Sequence, residues 1–548
     1  MTQLTSHHYP ELGWWYPEGE LSPLDFTVLL NRLYHINQPV TVFQSDLGAC
    51  LAGDKGYRSF TKPDKSPFYP AIAHAPSCPI ERLGDTSFCR DWNIRYPAMT
   101  GSMANGISSI DLVAAMADAG MMGFYGSAGE STATVENVIK TLKHRCGDQP
   151  WGINLIHTPQ EPVQEKRLVD ILLRHEVHQI EASAFLTMTR DLVRYRVKGI
   201  HRNSDGDIVV PNAILAKASR VEIAEKFLSP PPEAILQELI TCGDISEAEA
   251  ELARTIPVAR DITAEADSGG HTDNRPLVGV LPSFQAVARD CMEKYRYSQD
   301  LRVGAAGGIG TPAAAAAAFA MGAGWVVMGS IAQAAVESGT SDMVRNMLAK
   351  VEQAEITMAP AADMFEMGVN LQVLKHGTLF PMRARKLYEL YKENDSLETL
   401  SVRDRTQLEK TIFRASLDQI WQETIAFWNQ RDPSQIERAE RDAKHKMALV
   451  FRWYLGLSSR WANAGLPDRQ HDYQIWCGPA MGAFNQWTRG SFLAELANRT
   501  IETMVMNILW GAAVLFRRRN LQSHHLDIPH KLVDIKPQSI SDIRAFIE

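Results

Sequence analysis

A histidine that follows two glycines is the first candidate for chemistry in this sequence. His271 closes the segment EADSGGH (265–271), so an imidazole stands directly after Gly269 and Gly270, two residues without side chains that would leave room for a flat ring. The pKa of histidine lies near neutral pH, so His271 could donate a proton or a hydrogen bond to a substrate carbonyl. A single histidine in a loop is more often structural, so this interpretation depends on the elements that hold it.

Two glycine-containing turns are candidates for binding a phosphate group. The segment GAAGGIG (304–310) supplies Gly307 and Gly308, and the segment MGS (328–330) supplies Gly329 and Ser330. Glycines after a strand permit close backbone approach, and free N–H groups at a helix start can hold an anion. A Rossmann dinucleotide turn is the alternative, but it needs an acidic residue about 20 positions on, where this chain has 328–330 without a carboxylate. Tight turns without a ligand are the other alternative.

Other residues at predicted strand ends could face a heteroaromatic ring. Gly101, Ser102 and Met103 belong to the segment TGSMANG (100–106), which opens a helix. Asn154 could both donate to and accept from a ring edge, and Lys217 could hold negative charge on a reduced ring. The alternatives for Asn154 and Lys217 are a satisfied polar group and an exposed charge.

The elements that must position these residues alternate between short apolar runs and helical stretches, which is typical of parallel βα units. Eight runs fit a closed (β/α)8 TIM barrel, in which the active site lies at the C-terminal ends of the strands and phosphate turns commonly follow strands seven and eight. The predicted strands are 95–100, 120–126, 151–156, 178–183, 212–219, 261–267, 301–307 and 324–330. The α/β fold therefore places His271 after strand six, and the two glycine turns after strands seven and eight.

Changes in composition and hydrophobic pattern along the chain predict three domains. Residues 1–85 are expected to form an N-terminal accessory module, 86–345 the barrel and 346–548 a mostly helical lid or substrate domain, because strand signals cease beyond about 345. Two insertions interrupt the barrel pattern. Residues 199–212 are expected to form a hairpin that turns at Asp205-Gly206, and 229–260 a helical excursion.

Composition excludes several classes of protein. The 548 residues carry a net charge of −8, so no global basic field is present for nucleic acid. The seven cysteines form no CxxC pair, which predicts neither a metal site nor a disulfide framework and favours a reducing cytoplasm. The N-terminus lacks the pattern of a secretory signal. The apolar run 503–516 is shorter than the roughly 20 residues that a bilayer requires, so a buried helix is expected there and no membrane span.

Several motifs in this order resemble the FMN barrels of the nitronate monooxygenase and enoyl reductase superfamily. They are PAMTGSMANG, GINLI, ILAKAS, AEADSGGHT, AAGGIG and VVMGS. Within that group, AEADSGGHTDNRPL, VVMGSIAQAAVESGTSD and GVNLQVLKHGTLFPMRARKLYELY look like the PfaD-type enzymes, the trans-acting enoyl reductases of polyunsaturated fatty acid and polyketide synthases. The similarity extends over about 85–520.

The resemblance assigns roles to the candidate residues. It implies that Gly307, Gly308, Gly329 and Ser330 hold the FMN phosphate and that His271 is catalytic. The residues that it places around the flavin ring are Gly101, Ser102, Met103, Asn154, Lys217, Gly269 and Gly270. One departure is visible, because monooxygenase-like relatives continue strand eight with Gly-Thr-Arg-Phe, whereas this chain has Gly-Ser-Ile-Ala at 329–332. Serine can replace the threonine as a donor, and the role of the arginine stays unassigned.

The implied reaction is reduction of an enoyl thioester, with NADPH, or alternatively NADH, as the hydride donor through FMN. The substrate is expected on an acyl carrier protein of a multi-domain synthase. Acyl carrier proteins are acidic, so a local basic patch is expected, and the candidates are 383–386 and 517–519. Lys375 and His376 are placed over the flavin if the helical domain covers the barrel. Related flavin barrels are commonly homodimers, which implies a homodimer here. The rival functions are a nitronate monooxygenase-like flavin oxidase and a non-catalytic scaffold.

Overall fold

The N-terminal part of the chain forms an antiparallel sheet with a helix against it. The computed structural model describes residues 12–18, 21–53, 56–61, 64, 67–159, 161–529 and 535–548. The first elements are β1 (Trp14–Pro17), α1 (Phe26–Tyr34), β2 (Val40–Ser45), β3 (Gly48–Leu51), β4 (Gly56–Ser59) and β5 (Tyr69–Ala75). The strands pair in the order β3-β2-β5-β1-β4. Helix α1 begins after Asp25, whose carboxylate accepts hydrogen bonds from the N–H groups of Thr27 and Val28.

The next part of the chain builds a barrel with a repeated strand and helix pattern. Its elements are α2 (Thr86–Asp91), β6 (Ala98–Thr100), α3 (Ile110–Asp118), β7 (Met122–Tyr125), α4 (Thr132–Cys146), β8 (Gly152–Ile156), α5 (Pro162–Arg174), β9 (Gln179–Ser183), α6 (Arg190–Val197), β10 (His201–Arg202), β11 (Ile208–Val209), β12 (Ala213–Ala218), α7 (Val221–Leu228), α8 (Glu233–Thr241), α9 (Glu247–Ala253), β13 (Asp261–Glu265), β14 (Gly270–His271), α10 (Leu277–Tyr295), β15 (Arg302–Ala306), α11 (Pro312–Ala320), β16 (Val326–Met328) and α12 (Asp342–Leu348).

Eight of these strands are parallel and close into the predicted barrel, in the order β12-β13-β15-β16-β6-β7-β8-β9. Each lies within one of the eight runs predicted from the sequence, so the TIM barrel is confirmed. The insertions are confirmed as well, because β10 and β11 pair as a hairpin and α8 and α9 form the helical excursion. Strands buried on both faces need apolar residues throughout, which is why short apolar runs located them.

The N-terminal end of the barrel is closed by aromatic packing. Phe88 on α2 stacks on Trp325 with ring centroids 3.8 Å apart. The Trp92 indole donates to Asp261 at 2.9 Å, and Arg302 holds the other oxygen of that carboxylate at 2.6 Å. This packing fills the N-terminal end of the barrel, and the site residues were predicted at the opposite, C-terminal end.

The chain after 345 is mostly helical, as predicted, but it also contains two strands. The remaining elements are β17 (Ile356–Pro360), β18 (Asn370–Leu374), α13 (Phe380–Glu393), α14 (Val402–Gln407), α15 (Leu417–Arg431), α16 (Ser434–Arg441), α17 (Ala443–Ala464), α18 (Ala480–Thr488), α19 (Ile501–Ser523) and α20 (Ile540–Ile547). Strand β18 pairs antiparallel with both β17 and β14. The prediction that strand signals cease beyond about 345 is therefore wrong, because β18 pairs with β14, which lies far earlier in the chain, and β17 ends in a proline.

Helix α19 confirms the buried helix predicted for the apolar run 503–516. It packs against α11 of the barrel so closely that a Cβ at Gly511 would lie 2.7 Å from the Pro312 ring. Residues with small side chains at 312–318 and at Gly511 allow this approach. No described helix is long and apolar enough to cross a membrane.

Candidate active site

A cavity of about 820 Å³ lies between the C-terminal ends of the barrel strands and the helical region. A smaller cavity of about 80 Å³ adjoins it at the loops after β15 and β16. The larger cavity is lined by seven of the predicted residues, namely Ser102, Met103, Asn154, Lys217, Gly269, Gly270 and His271. The smaller one is lined by Gly101, Ser102, Met103, Lys217, Gly269, Gly307, Gly308, Gly329 and Ser330. All twelve predicted site residues therefore meet at one end of the barrel.

The two glycine turns have the backbone geometry of an open cradle. Gly307 and Gly308 have φ angles of +89° and +73°, which side chains other than glycine rarely adopt. A Cβ at Gly307 would lie 2.6 Å from the Ala266 carbonyl carbon, whereas Gly308 and Gly329 face open space. Among the described residues, no backbone acceptor takes a hydrogen bond from the N–H groups of Gly308, Gly329 or Ser330. These donors are available to an anionic ligand.

The strand ends also hold a buried cluster of charges. Lys217 on β12 lies 3.6 Å from the Glu181 carboxylate on β9 and 3.7 Å from that of Glu265 on β13. Burial works against the charged form of the lysine, but the two carboxylates outweigh it and raise the pKa of Lys217. Burial raises the pKa of Glu265 despite the opposing effect of Lys217. Lys217 therefore carries its positive charge at neutral pH.

Glu181 connects this cluster to the loop after β6. Its side chain is fully buried, and one carboxylate oxygen accepts hydrogen bonds from the backbone N–H of Ser102, at 3.1 Å, and from the Ser102 hydroxyl. The other oxygen, Oε1, has no hydrogen-bond partner among the described residues. A Cβ at Gly101 would lie 3.6 Å from that oxygen. Glu181 therefore anchors the loop that carries Gly101 and Ser102.

Asn154 is held by the neighbouring strand. It is buried, and its amide donates to the Glu181 carbonyl at 3.1 Å and to the Ser183 hydroxyl at 2.9 Å. The side-chain N–H groups of Asn154, which were predicted to donate to a ring, thus donate to protein groups. Ser330 is partly engaged too, because its hydroxyl oxygen accepts from the N–H of Gly478 at 2.9 Å.

His271 belongs to β14 and pairs with a carboxylate from the C-terminal region. Its Nε2 lies 3.1 Å from Oδ1 of Asp363, which stands between β17 and β18. Both side chains are about 30% exposed, at 31% and 29%, so a ligand in the cavity can reach them. Burial works against the charged imidazole, but Asp363 and the more distant Glu265 outweigh it and raise the pKa of His271. His271 counteracts the burial of Asp363 and lowers the pKa of that carboxyl.

Helices α15 and α17 cover the larger cavity. Phe427 and Trp428 from α15 and Leu449 and Trp453 from α17 line its outer wall. Arg431 at the end of α15 forms an ion pair with Glu161 beside the barrel. The helical region thus lies over the site, as expected of a lid.

Two residues that were predicted to cover the site, Lys375 and His376, do not form part of this wall. Lys375 and His376 do not line either cavity, and the His376 ring lies 2.8 Å from Glu355 with 70% of its side chain exposed. Although the helical region covers the barrel, these two residues follow the end of β18 at Leu374 and contribute nothing to the lining of the site.

The basic segments predicted to meet a carrier protein are partly engaged inside the molecule. Arg383 pairs with the buried Asp472, and Lys386 lies 3.1 Å from Asp404. Arg517 is fully buried, and its guanidinium donates to backbone carbonyls that include His35, at 2.9 Å. The prediction is wrong for Arg517, because an apolar helix that buries itself against the N-terminal sheet takes this arginine with it.

Sequence reasoning missed the three acidic residues of this site. Glu181 and Glu265 stand in apolar strands, and a carboxylate at the end of such a strand was an available signal. Asp363 has no local signal, because it meets His271 across 92 positions of the chain. No group of three or more histidine, cysteine or acidic side chains among the described residues could hold a metal ion.

Two family models match the chain. The model for nitronate monooxygenase matches residues 87–404, more than half of the chain. The model for the inserted helical domain of [acyl-carrier-protein] S-malonyltransferase matches residues 394–473, which hold helices α14 to α17.

Individual relatives belong to polyunsaturated fatty acid and polyketide synthesis. One subunit of the polyunsaturated fatty acid synthase of Thraustochytrium sp. is 47% identical over 455 residues, which cover 81% of this chain and 30% of that protein. Polyketide biosynthesis protein PksE of Bacillus subtilis is 45% identical over 440 residues, which cover 80% of this chain and 57% of that protein. The chain therefore spans less than two thirds of either relative.

A solved structure matches along nearly its whole length. The enoyl reductase domain of MlnA, from the macrolactin biosynthesis cluster of Bacillus amyloliquefaciens, is 38% identical, with a TM-score of 0.77. The match covers 80% of this chain and 99% of that domain. With its barrel, its site at the strand ends and these matches, the chain belongs to the nitronate monooxygenase family.

Proposed function

We propose that this chain is an FMN-dependent enoyl reductase that uses NADPH to reduce the α,β double bond of enoyl thioesters on an acyl carrier protein. Its setting would be the synthesis of polyunsaturated fatty acids or polyketides. The observation that carries the proposal is the His271 and Asp363 pair, which faces a large cavity beside a phosphate cradle. The match to an enoyl reductase domain, at 38% identity over 99% of that domain, supports the proposal.

The residues at the strand ends fit FMN. Gly307, Gly308, Gly329 and Ser330 would hold the phosphate through backbone N–H groups and the serine hydroxyl. Lys217 would lie beside the ring, where its positive charge stabilises a reduced, anionic ring. Bound FMN would supply the two-electron chemistry between NADPH and the enoyl group, which protein side chains do not provide.

His271 would act on the substrate. Its Nε2 is occupied by Asp363, which leaves Nδ1 to donate a hydrogen bond to the thioester carbonyl or a proton to the α carbon. The raised pKa of His271 favours the imidazolium form, in which Nδ1 carries a proton to donate. The apolar side chains of Phe427, Trp428 and Leu449 would accommodate the acyl chain and exclude water.

The carrier protein would approach the helical region. Residues 394–473 match a domain inserted in an enzyme that acts on acyl carrier protein, and these helices form the outer wall of the cavity. A phosphopantetheine arm that enters beside α15 and α17 would reach His271. The relatives from polyunsaturated fatty acid and polyketide synthesis support this setting.

An absorbance experiment tests the proposal. The purified protein should show flavin bands that bleach with anaerobic NADPH and return on addition of an enoyl thioester. In His271→Ala the bands should still bleach, but their return should slow by about 10²- to 10⁴-fold, the usual contribution of a general acid. His376→Ala is the matched control, because that histidine also pairs with a carboxylate yet lies outside the cavity.

Three results would contradict the proposal in different ways. A colourless protein that FMN cannot reconstitute would favour a scaffold. Rapid NADPH oxidation in air without an enoyl thioester, together with consumption of nitronates, would favour an oxidase or monooxygenase. Equal rates for His271→Ala and wild type would remove the role of His271 and leave the reductase standing.

A further inference from the structure

We propose that Asp363 is a positioning residue for His271, supplied by the C-terminal region to complete a site whose twelve predicted residues all come from the barrel. The inference rests on the proposed function for its consequence in catalysis. The contact itself is a hydrogen bond of 3.1 Å between Nε2 of His271 and Oδ1 of Asp363.

The backbone around both residues fixes this contact. His271 pairs with Leu371 in the antiparallel β14 and β18 register, and Gly270 pairs with Gln372. The Gln372 amide also donates to Asp267 at 3.0 Å, which ties the loop before β14 to the same strand. Asp363 stands in the connection that leads into β18, so one small sheet carries both partners. The orientation of the imidazole is therefore set by the C-terminal region.

The charges that face this pair come from several elements. Glu265 on β13 raises the pKa of His271, and Lys217 on β12 lowers it. Arg452 on α17 lowers the pKa of Asp363. Asp363 has the largest favourable effect on the imidazolium and is the one that contacts it directly. Removal of its charge should thus lower the pKa of His271, although Glu265 keeps part of the favourable field.

The geometry gives Asp363 two effects on the proposed reaction. It holds one ring nitrogen, so that Nδ1 is directed to a single place, and it stabilises the protonated ring. Loss of the carboxylate should slow the step that needs the proton and leave binding of NADPH and of the thioester nearly unchanged. A purely structural carboxylate would instead change stability, without a change in the pH dependence.

The test compares Asp363→Asn, Asp363→Glu and wild type. The rate of enoyl thioester reduction should fall on the alkaline side as His271 loses its proton, and in Asp363→Asn this fall should occur at lower pH. Just above neutral pH, kcat should decrease by about tenfold or more while KM stays within about twofold. Asp363→Glu should recover part of the rate, because its carboxylate can reach the ring.

A second measurement does not depend on activity. Diethyl pyrocarbonate modifies neutral imidazole, so the pH dependence of His271 labelling, read by mass spectrometry, reports its pKa. The midpoint should shift to lower pH in Asp363→Asn and stay at the wild-type value in Glu355→Gln. Glu355→Gln is the matched control, because it removes the carboxylate beside His376 at the edge of the same sheet, outside the cavity.

The outcomes separate the two proposals. A shifted labelling midpoint supports the role of Asp363 even if no enoyl thioester is reduced, which would refute only the proposed function. An unchanged midpoint in a folded Asp363→Asn overturns the inference, whatever the activity. If Asp363→Asn does not fold, an Asp363→Glu variant that keeps the wild-type labelling midpoint and at least part of the wild-type rate supports the inference, and one with a midpoint at lower pH or with the rate of His271→Ala overturns it.

Discussion

The strand ends carry a buried cluster of charged side chains next to a cavity that a ligand can enter. Lys217 lies between two carboxylates, one of them fully buried, and carries its charge because of them. A buried ion cluster of this kind adds little net stability over apolar packing, but the loss of one partner leaves uncompensated charge. We therefore infer that the cluster serves binding of the proposed FMN rather than folding.

Lys217→Met should destabilise the fold by about 3 to 5 kcal/mol, because Glu181 and Glu265 would lose their shared counter-ion in a buried site. The unfolding transition in urea should move to lower denaturant concentration. Lys198→Met is the control, since that lysine is half exposed and lies 4.0 Å from its carboxylate, and its loss should cost about 1 kcal/mol or less. Equal midpoints for the two variants would contradict the importance of the buried cluster.

At the scale of elements, the turn after β15 depends on a glycine that no other residue can replace. Gly307 combines a positive φ with a Cβ position 2.6 Å from the Ala266 carbonyl carbon, so the loops after β13 and β15 touch there. The small sheet of β14, β17 and β18 is also important for the site, because it joins the loop after β13 to the C-terminal region.

Gly307→Ala should weaken FMN binding by about tenfold or more, because the added Cβ forces the loop away from Ala266. The backbone N–H groups of the loop would then no longer point at the phosphate. Quenching of FMN fluorescence on titration with the purified protein measures the affinity. Gly279→Ala, on α10, is the control, since a Cβ there meets no atom within 4 Å and alanine favours a helix. Wild-type affinity in Gly307→Ala would exclude this loop as the phosphate site.

At the scale of the whole molecule, α19 joins the N-terminal sheet to the barrel. Its apolar face packs on α11, and its Arg517 bonds to backbone carbonyls of the N-terminal part, among them Arg32 at 3.1 Å and His35 at 2.9 Å. Burial lowers the pKa of Arg517 to about 10, so the guanidinium stays charged at neutral pH. The last long helix thus fastens the first module of the chain.

Arg517→Met should loosen the N-terminal module, because several buried carbonyls would lose their donor at about 1 to 3 kcal/mol each. Limited proteolysis should then cleave within the first 80 or so residues, about the size of one small module, faster than in wild type. Arg519→Met is the control, since Arg519 on the same helix is exposed. Equal cleavage rates in the two variants would show that the module is held by other contacts.

The sequence by itself determined the barrel, all eight strands and the twelve residues around the two cavities. Apolar runs, helix caps and glycine turns are local signals, and the closed barrel brings every strand end to one face. Only the tertiary structure decided that Asp363 meets His271, that Glu181 and Glu265 flank Lys217, and that Arg517 is buried. Each of these contacts joins residues far apart in the chain, and no local pattern encodes the pairing of β14 with β18 or the packing of α19 on the N-terminal sheet.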